Sequence, residues 1–309
     1  LAYQYPEAPA TVGDDLTTLQ IHHLMKSPAL LVKRAADLAR QKFIADYLLT
    51  GRYQAVGGAI LYETGEEIFP ADEAEQIAPG GEYPRTTMTS GELAAAKTSK
   101  WGQDSSVTDE AISRLGVSPL DKAIRKVVNG MIRQGDGSAL GVIGSQVTQS
   151  KAASAAWTGA GAADAIVDTV LETQAEYEEI NDDYAFSYDT IVLKPTQFAA
   201  VAAALIKSDL VPRESQNFVL SGVIPDYLGF SWVTSKHVPF SDPFLLDREQ
   251  LGGIATENIQ SPGYSNMEGI EVKSIRDEDT DGYRVRGRRV FVPVVLEPRA
   301  GIRITGTGV

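Results

Sequence analysis

The sequence predicts an α+β protein, and three stretches carry that prediction. From Gly269 onward, apolar and polar residues alternate on both sides of the acidic segment DEDTDG at 277–282, the period-two signature of a half-buried antiparallel hairpin. From Ser118, apolar residues recur at Leu120, Ala123, Ile124, Val127, Val128, Met131 and Ile132, the i, i+3, i+4, i+7 spacing of a helix with one buried face. Between them, helical and strand patterns alternate over 162–256, which describes an α+β or α/β subdomain.

Taken in order, residues 1–26 hold Pro6, Pro9 and Gly13 without sustained periodicity and read as an extended arm. Ser27-Pro28 opens a helix, with serine as N-cap and proline in the first turn. Leu30, Leu31, Ala35, Leu38, Phe43 and Leu48 give it an interrupted apolar stripe ending near Gly51, and Lys33, Arg34, Arg40 and Lys42 a basic, solvated face. A strand at 59–63 is then followed by about thirty residues rich in Gly, Pro, Glu and Thr before a return at 93–101, a connection long enough to be functional or partner-bound. Glu63, Glu66, Glu67, Asp72, Glu73, Glu75 and Glu82 make its outer half acidic. It reads as a long two-stranded arm, which is marginal alone in water and needs a neighbouring subunit to lie on.

Thr108 caps a short helix, and Ser118-Pro119 opens the strongly periodic one, with Gly135-Asp136-Gly137 as its stop signal. Small residues at 149–163 mark a boundary. A helix follows at 162–178 with Ile166, Val167, Val170 and Leu171 on its apolar side. Next come a strand at 189–193, a helix at 196–208 capped by Thr196, a strand at 230–234 and a strand pair within 244–256. In the terminal hairpin Asp281-Gly282 is the expected positive-φ pair. Tyr283, Val285 and Gly287 fall on one face of the return strand, and Arg284, Arg286 and Arg288 on the other. Three arginines on one strand face demand carboxylates, some of them on another subunit.

Composition excludes several classes of function. The 309 residues are 43% hydrophobic and 22% charged, carry a formal charge of −13 and contain no cysteine. Disulfides and thiolate metal sites are therefore excluded, and a broad grip on phosphate backbones is disfavoured. No apolar run approaches a membrane span. Leu1 is too large to follow ordinary removal of an initiator methionine, so a leader or proteolytic trimming is expected.

Catalytic groups are scarce. His22 and His23 read as exposed arm residues and His237 as a surface turn residue. DEDTDG imitates the opening of a calcium loop, but Arg288 stands where the bidentate glutamate should be. The glycines at 159 and 161 lack the third glycine and preceding strand of a dinucleotide site. No cofactor and no metal is expected. Arg284, Arg286, Arg288 and Arg289 form the densest basic cluster, without the aromatic ladder that single-strand binding needs, so ion pairing between subunits is the preferred reading.

The order of these parts resembles one family, the major capsid proteins of tailed bacteriophages with the Hong Kong 97-type fold. The resemblance rests on AKTSKWGQDSSVTDEAI at 96–112, TIVLKPTQFAA at 190–200, GVIPDYLGFSWVTSKHVP at 222–239, LLDREQLGGIATENIQSPGYS at 245–265 and RVFVPVVLEPRAGIRITGTG at 289–308. It is nearest to capsid proteins of phages infecting actinobacteria. It implies an N-terminal arm and helix at 1–51, an extended loop at 52–107, a spine helix in 108–149, an axial domain at 150–265 and peripheral-domain strands at 266–309.

It also implies a non-enzymatic shell subunit that self-assembles as hexamers and pentamers into an icosahedral head in the bacterial cytoplasm. Its partners would be portal and scaffolding proteins, a decoration protein, and double-stranded DNA held by enclosure, with no membrane. No coiled-coil scaffolding segment precedes the arm, so scaffolding was cleaved away or is separate. Inter-subunit contacts fall to Arg284, Arg286, Arg288, Glu63, Glu66, Glu67, Asp72 and Glu73. Some relatives weld subunits by a lysine–asparagine isopeptide bond near a glutamate. Lys97 or Lys100 with Asn266, near Glu268, could take those roles, though no spacing compels it. The rival readings are an encapsulin-like compartment shell of the same fold and, more remotely, a metal- or nucleotide-dependent α/β enzyme.

Overall fold

In the computed structural model, which describes residues 17–40, 43–65, 75–83, 85, 91–208, 228–267 and 269–308, the described part of the arm is helical rather than extended. Helix α1 spans Thr18–Met25, with the Thr17 amide donating to Gln20 Oε1 at 2.9 Å. Its two core residues, Ile21 and Met25, sit one turn apart and are fully buried, too short a pattern to register as periodicity. Helix α2, Pro28–Arg40, buries Leu31, Val32, Ala35 and Ala36. The stripe expected to continue to Gly51 restarts as a separate turn, α3, Ala45–Leu48. There the Ala45 amide donates to the Asp136 carboxylate at 3.0 Å.

Strand β1 is Gly51–Gln54, β2 Ala59–Thr64, β3 Glu92–Lys97 and β4 Ser99–Thr108. Only β2 and β3 form the two-stranded ribbon. Thr108 accepts from the Ala111 amide at 3.3 Å to cap α4, Asp109–Leu115, as expected. Helix α5 spans Ser118–Gln146, about 43 Å, and passes straight through the glycines expected to stop it. A Cβ on Gly135 would lie 2.9 Å from the Phe43 ring, and one on Gly144 2.8 Å from Phe240. Close packing against those rings offsets the roughly 1 kcal/mol that a helical glycine costs.

The second half of the chain builds a five-stranded sheet. Its parts are β5 (Ser150–Ala152), α6 (Ala162–Ile180), β6 (Thr190–Leu193), α7 (Pro195–Lys207), β7 (Ser231–Thr234) and β8 (Phe244–Leu246). Helix α6 buries Ala162, Ala163, Ala165, Ile166, Thr169, Val170 and Thr173. Leu171, assigned to the apolar side, is 41% exposed, and the hydroxyls of Thr169 and Thr173 instead bond back to Ala165 and Thr169 carbonyls within the helix. Helix α7 starts one residue early: the Lys194 amide donates to Gln197 Oε1 at 2.8 Å, so Thr196 is not its cap.

The strands in 244–256 do not pair with each other. Asp247 accepts from the amides of Glu249 and Gln250 and caps a turn, α8, Arg248–Leu251. Gly252 then has φ 151°, and a Cβ there would lie 2.2 Å from the Val294 carbonyl oxygen. The chain thereby crosses into the other sheet as β9, Gly252–Thr256.

That sheet is completed by β10 (Ser265–Met267), β11 (Ile270–Asp277) and β12 (Gly282–Val295), in the order β1-β9-β12-β11-β10, with β4 on the opposite edge of β12. Strand β13, Gly301–Thr305, returns to the five-stranded sheet, whose order is β5-β13-β8-β6-β7. Of the expected turn pair only Asp281 has positive φ, 43°. Gly282 is already in β12, where a Cβ would lie 2.9 Å from the Val107 carbonyl oxygen.

Of the three hydrophobic clusters among the described residues, two meet on α5. Leu120 to Ile132 of α5 share one with α1, α2, α4, β11 and β12, whereas Ala139, Leu140 and Ile143 enter the core of the five-stranded sheet. One helix thus ties both cores together.

Candidate assembly surfaces

Strand β12 separates two chemically different sides of the molecule. Its odd-numbered residues face α5: Tyr283 and Val285 join the α5 cluster, and a Cβ on Gly287 would lie 2.5 Å from Val127. Arg289 shares this face. It pairs with Asp46 (2.8 and 3.2 Å) and lies 4.7 Å and 5.0 Å from the ring centroids of Phe43 and Phe291. Its cluster with Arg284, Arg286 and Arg288 is therefore one of sequence, not of space.

The even-numbered residues place Arg284, Arg286 and Arg288 on the opposite face, as the alternation requires, and their carboxylate demand is met inside the subunit. Arg284 lies 3.6 Å from Asp277. Arg286 faces Asp104 of β4 and makes a two-pronged pair at 2.6 and 2.7 Å. Arg288 pairs with Glu271 of β11 and donates to the Ile259 carbonyl (3.0 Å) and Ser261 Oγ (2.9 Å), with Tyr264 stacked 3.7 Å from its guanidinium. With 5% exposure, Arg288 does not offer its charge to a partner. Arg284 and Arg286 stay half-exposed, at 43% and 39% of their side chains.

The Arg286 guanidinium holds the Asp104 carboxyl below the usual carboxylate range, and Arg276 does the same to Asp109 at 2.7 Å. A groove of about 420 Å³ opens here between Lys100, Asp104, Tyr264 and Arg286. Glu271 was legible in sequence, because the hairpin register that sets Asp277 opposite Gly282 sets Glu271 opposite Arg288. Asp104 was not, since nothing local pairs β4 with a strand 182 residues away.

The ribbon stands on this same side. Ile60, Tyr62 and Ala96 pack over Val292, Val294 and Leu296, whereas Leu61 and Leu93 on its other face are 77% and 80% exposed. Glu63 shares that outer face and is half-exposed. Glu66, Glu67, Asp72, Glu73 and Glu268 lie outside the described residues. Lys97 is exposed at the ribbon base and Lys100 lines the groove, whereas Asn266 accepts from the Gly269 amide at 3.3 Å.

Helix α5 carries a basic face of its own. Lys122, Arg125, Lys126 and Arg133 cover the exposed side of α5, and none has an ion-pair or hydrogen-bond partner among the described residues. Their signal was the complement of the apolar stripe. His22 is not a free arm residue either, lying 3.3 Å from the Tyr283 hydroxyl, while His237 does sit in a turn after β7. Among the described residues, no group of three or more His, Asp or Glu is placed to hold a metal, and no helix is long and apolar enough to cross a membrane.

A family model described as phage capsid protein matches residues 91–304. No curated protein matches the chain. Among solved structures, the chain is similar to the capsid structure of cyanophage P-SCSP1u (14% identity, 83% of this chain and 86% of that one, TM-score 0.56). It is similar to a chain of Mycobacterium phage Adephagia (13%, 94% and 98%, 0.54). It is also similar to a virus-like particle from Pyrococcus furiosus (7%, 89% and 97%, 0.55).

Proposed function

Because this chain belongs to the phage capsid protein family and is a structural capsid protein of the Hong Kong 97-type fold, we propose that it assembles as hexamers and pentamers into an icosahedral head around double-stranded DNA. The observation that carries the reading is the half-covered ribbon. One apolar face packs on the subunit's own sheet, and the other leaves Leu61 and Leu93 in water. Burying those two residues on a neighbouring copy would contribute roughly 1.5–3 kcal/mol each, repeated at every contact of a shell. The half-exposed Arg284 and Arg286, the groove beside Asp104, and the acidic residues Glu63, Glu66, Glu67, Asp72 and Glu73 then set the register between copies.

The family favours a phage head over a compartment shell. In this reading the subunit acts by geometry rather than catalysis, works with portal, scaffolding and decoration proteins, and assembles in the host cytoplasm. Arg288, paired inside the fold, serves folding. A weld through Lys97 or Lys100 and Asn266 is not part of the proposal; a ladder of multimers on a denaturing gel would bring it in.

Negative-stain microscopy of the purified chain tests the reading. Shells or hexamer and pentamer rings are the expected result, and a stable compact monomer would sink it. Arg286→Glu should abolish regular shells while leaving the circular dichroism of the subunit unchanged. Normal shells from that variant would remove Arg286 from the interface.

A further inference from the structure

The exposed side of α5 has no role in the shell contacts described above. Its four cations lie on a chain of formal charge −13 with 41 acidic residues, yet none has a partner among the described residues. Arg276, Arg284 and Arg286 of the tail, by contrast, each pair with a carboxylate of the same subunit. From Lys122 to Arg133 the row runs eleven residues, about 16 Å along a straight rod. A duplex presents one phosphate charge per about 1.7 Å of its axis, so a rod of that length meets several of them.

The acidic ribbon of a neighbouring copy is the obvious rival partner, and the geometry argues against it. The ribbon rises from the even-numbered face of β12, and α5 packs on the odd-numbered face. Copies in a closed shell are related by rotations about axes that pass through its wall, so every copy turns the same side outward. The described strands of a neighbour's ribbon therefore stand on the ribbon side, away from the row on α5.

Resting on the shell reading above, we propose that the α5 cation row faces the contents of the head and holds the phosphate backbone of the enclosed duplex, without reading its sequence. Contacts confined to phosphates position a duplex and carry no sequence information. The wall remains acidic overall, so the enclosed DNA meets basic rows on an otherwise repelling surface.

The test combines a short labelled duplex of mixed sequence with microscopy. Unassembled wild-type chain should bind it at low salt. With four phosphates neutralised, affinity should fall roughly a hundredfold between about 50 and 200 mM salt. The variant Lys122→Gln/Arg125→Gln/Lys126→Gln/Arg133→Gln should lose this binding. Because these side chains are exposed and have no ion-pair or hydrogen-bond partner among the described residues, it should still fold and build shells. Wild-type shells closed around the duplex should keep it through nuclease treatment, and variant shells should keep at least tenfold less.

Equal retention by the variant overturns the proposal, as does binding of added duplex to the outside of closed shells. A variant that fails to fold leaves the wild-type salt dependence as the deciding measurement, and a flat one also overturns it. Microscopy reports shells independently of DNA. A chain that binds duplex but builds no shell refutes the shell reading, whereas shells without salt-dependent binding refute only the present inference.

Discussion

Glu271→Gln tests whether the tail's arginines are chiefly internal fastenings. The Arg288–Glu271 pair is buried on both sides, with side-chain exposures of 6% and 3%. Removing one partner of such a pair costs about 3–5 kcal/mol, because the remaining charge is left uncompensated. Arg288 keeps its bonds to the Ile259 carbonyl and Ser261 Oγ and its stack on Tyr264. Hydrogen bonds to a charged group contribute about 1.5–3 kcal/mol each, so the expected loss sits near the lower limit, about 2–3 kcal/mol. With a urea slope of about 3 kcal/mol/M, the unfolding midpoint of the unassembled chain should drop by about 0.7–1 M at unchanged slope. The companion variant Glu271→Leu/Arg288→Met removes both charges and should be no less stable than Glu271→Gln alone. A loss below about 1 kcal/mol for the single change, or a double variant weaker than the single, would refute the reasoning.

Other consequences follow from the same geometry. Gly287→Val pushes two more methyl groups toward Val127 and Met131 and should destabilise by about 1–3 kcal/mol, read as a lower melting temperature with shells still formed below it. Burial in the α5–α3 contact, with Asp46 adding to it, raises the Asp136 pKa to about 6. The folded state then holds a proton that the unfolded chain has released, so stability should fall as pH rises from about 4 to 6. Asp136→Asn should flatten that slope in urea titrations at several pH values and should raise stability at neutral pH. Leu61→Glu/Leu93→Glu should leave subunit unfolding unchanged, because both side chains are in water, and should abolish shells in the microscope.

Local pattern determined much of this protein. The alternation around DEDTDG contained the hairpin, its two faces and, through the register, the Glu271–Arg288 partnership. The spacing from Leu120 to Ile132 marked the buried face of α5, and the segments at 96–112, 190–200, 222–239, 245–265 and 289–308 carried the resemblance to the family. These features are legible because they depend on neighbours two to four residues apart.

Tertiary structure decided the rest. Helix α5 ignores its glycines because Phe43 and Phe240 pack against them, 92 and 96 residues away. The segment 244–256 divides between two sheets because Gly252 has room for no side chain beside Val294. The arginines find their carboxylates on β4, β11 and α3, so a face that looked like an unmet demand for partners is largely satisfied at home. The four exposed cations of α5 have no such partner among the described residues, on a helix where one face spends its apolar residues on two cores and the other is turned to solvent. Periodicity can say which side of a helix is buried, but only the packed sheet says what stands behind it and which charges remain unanswered.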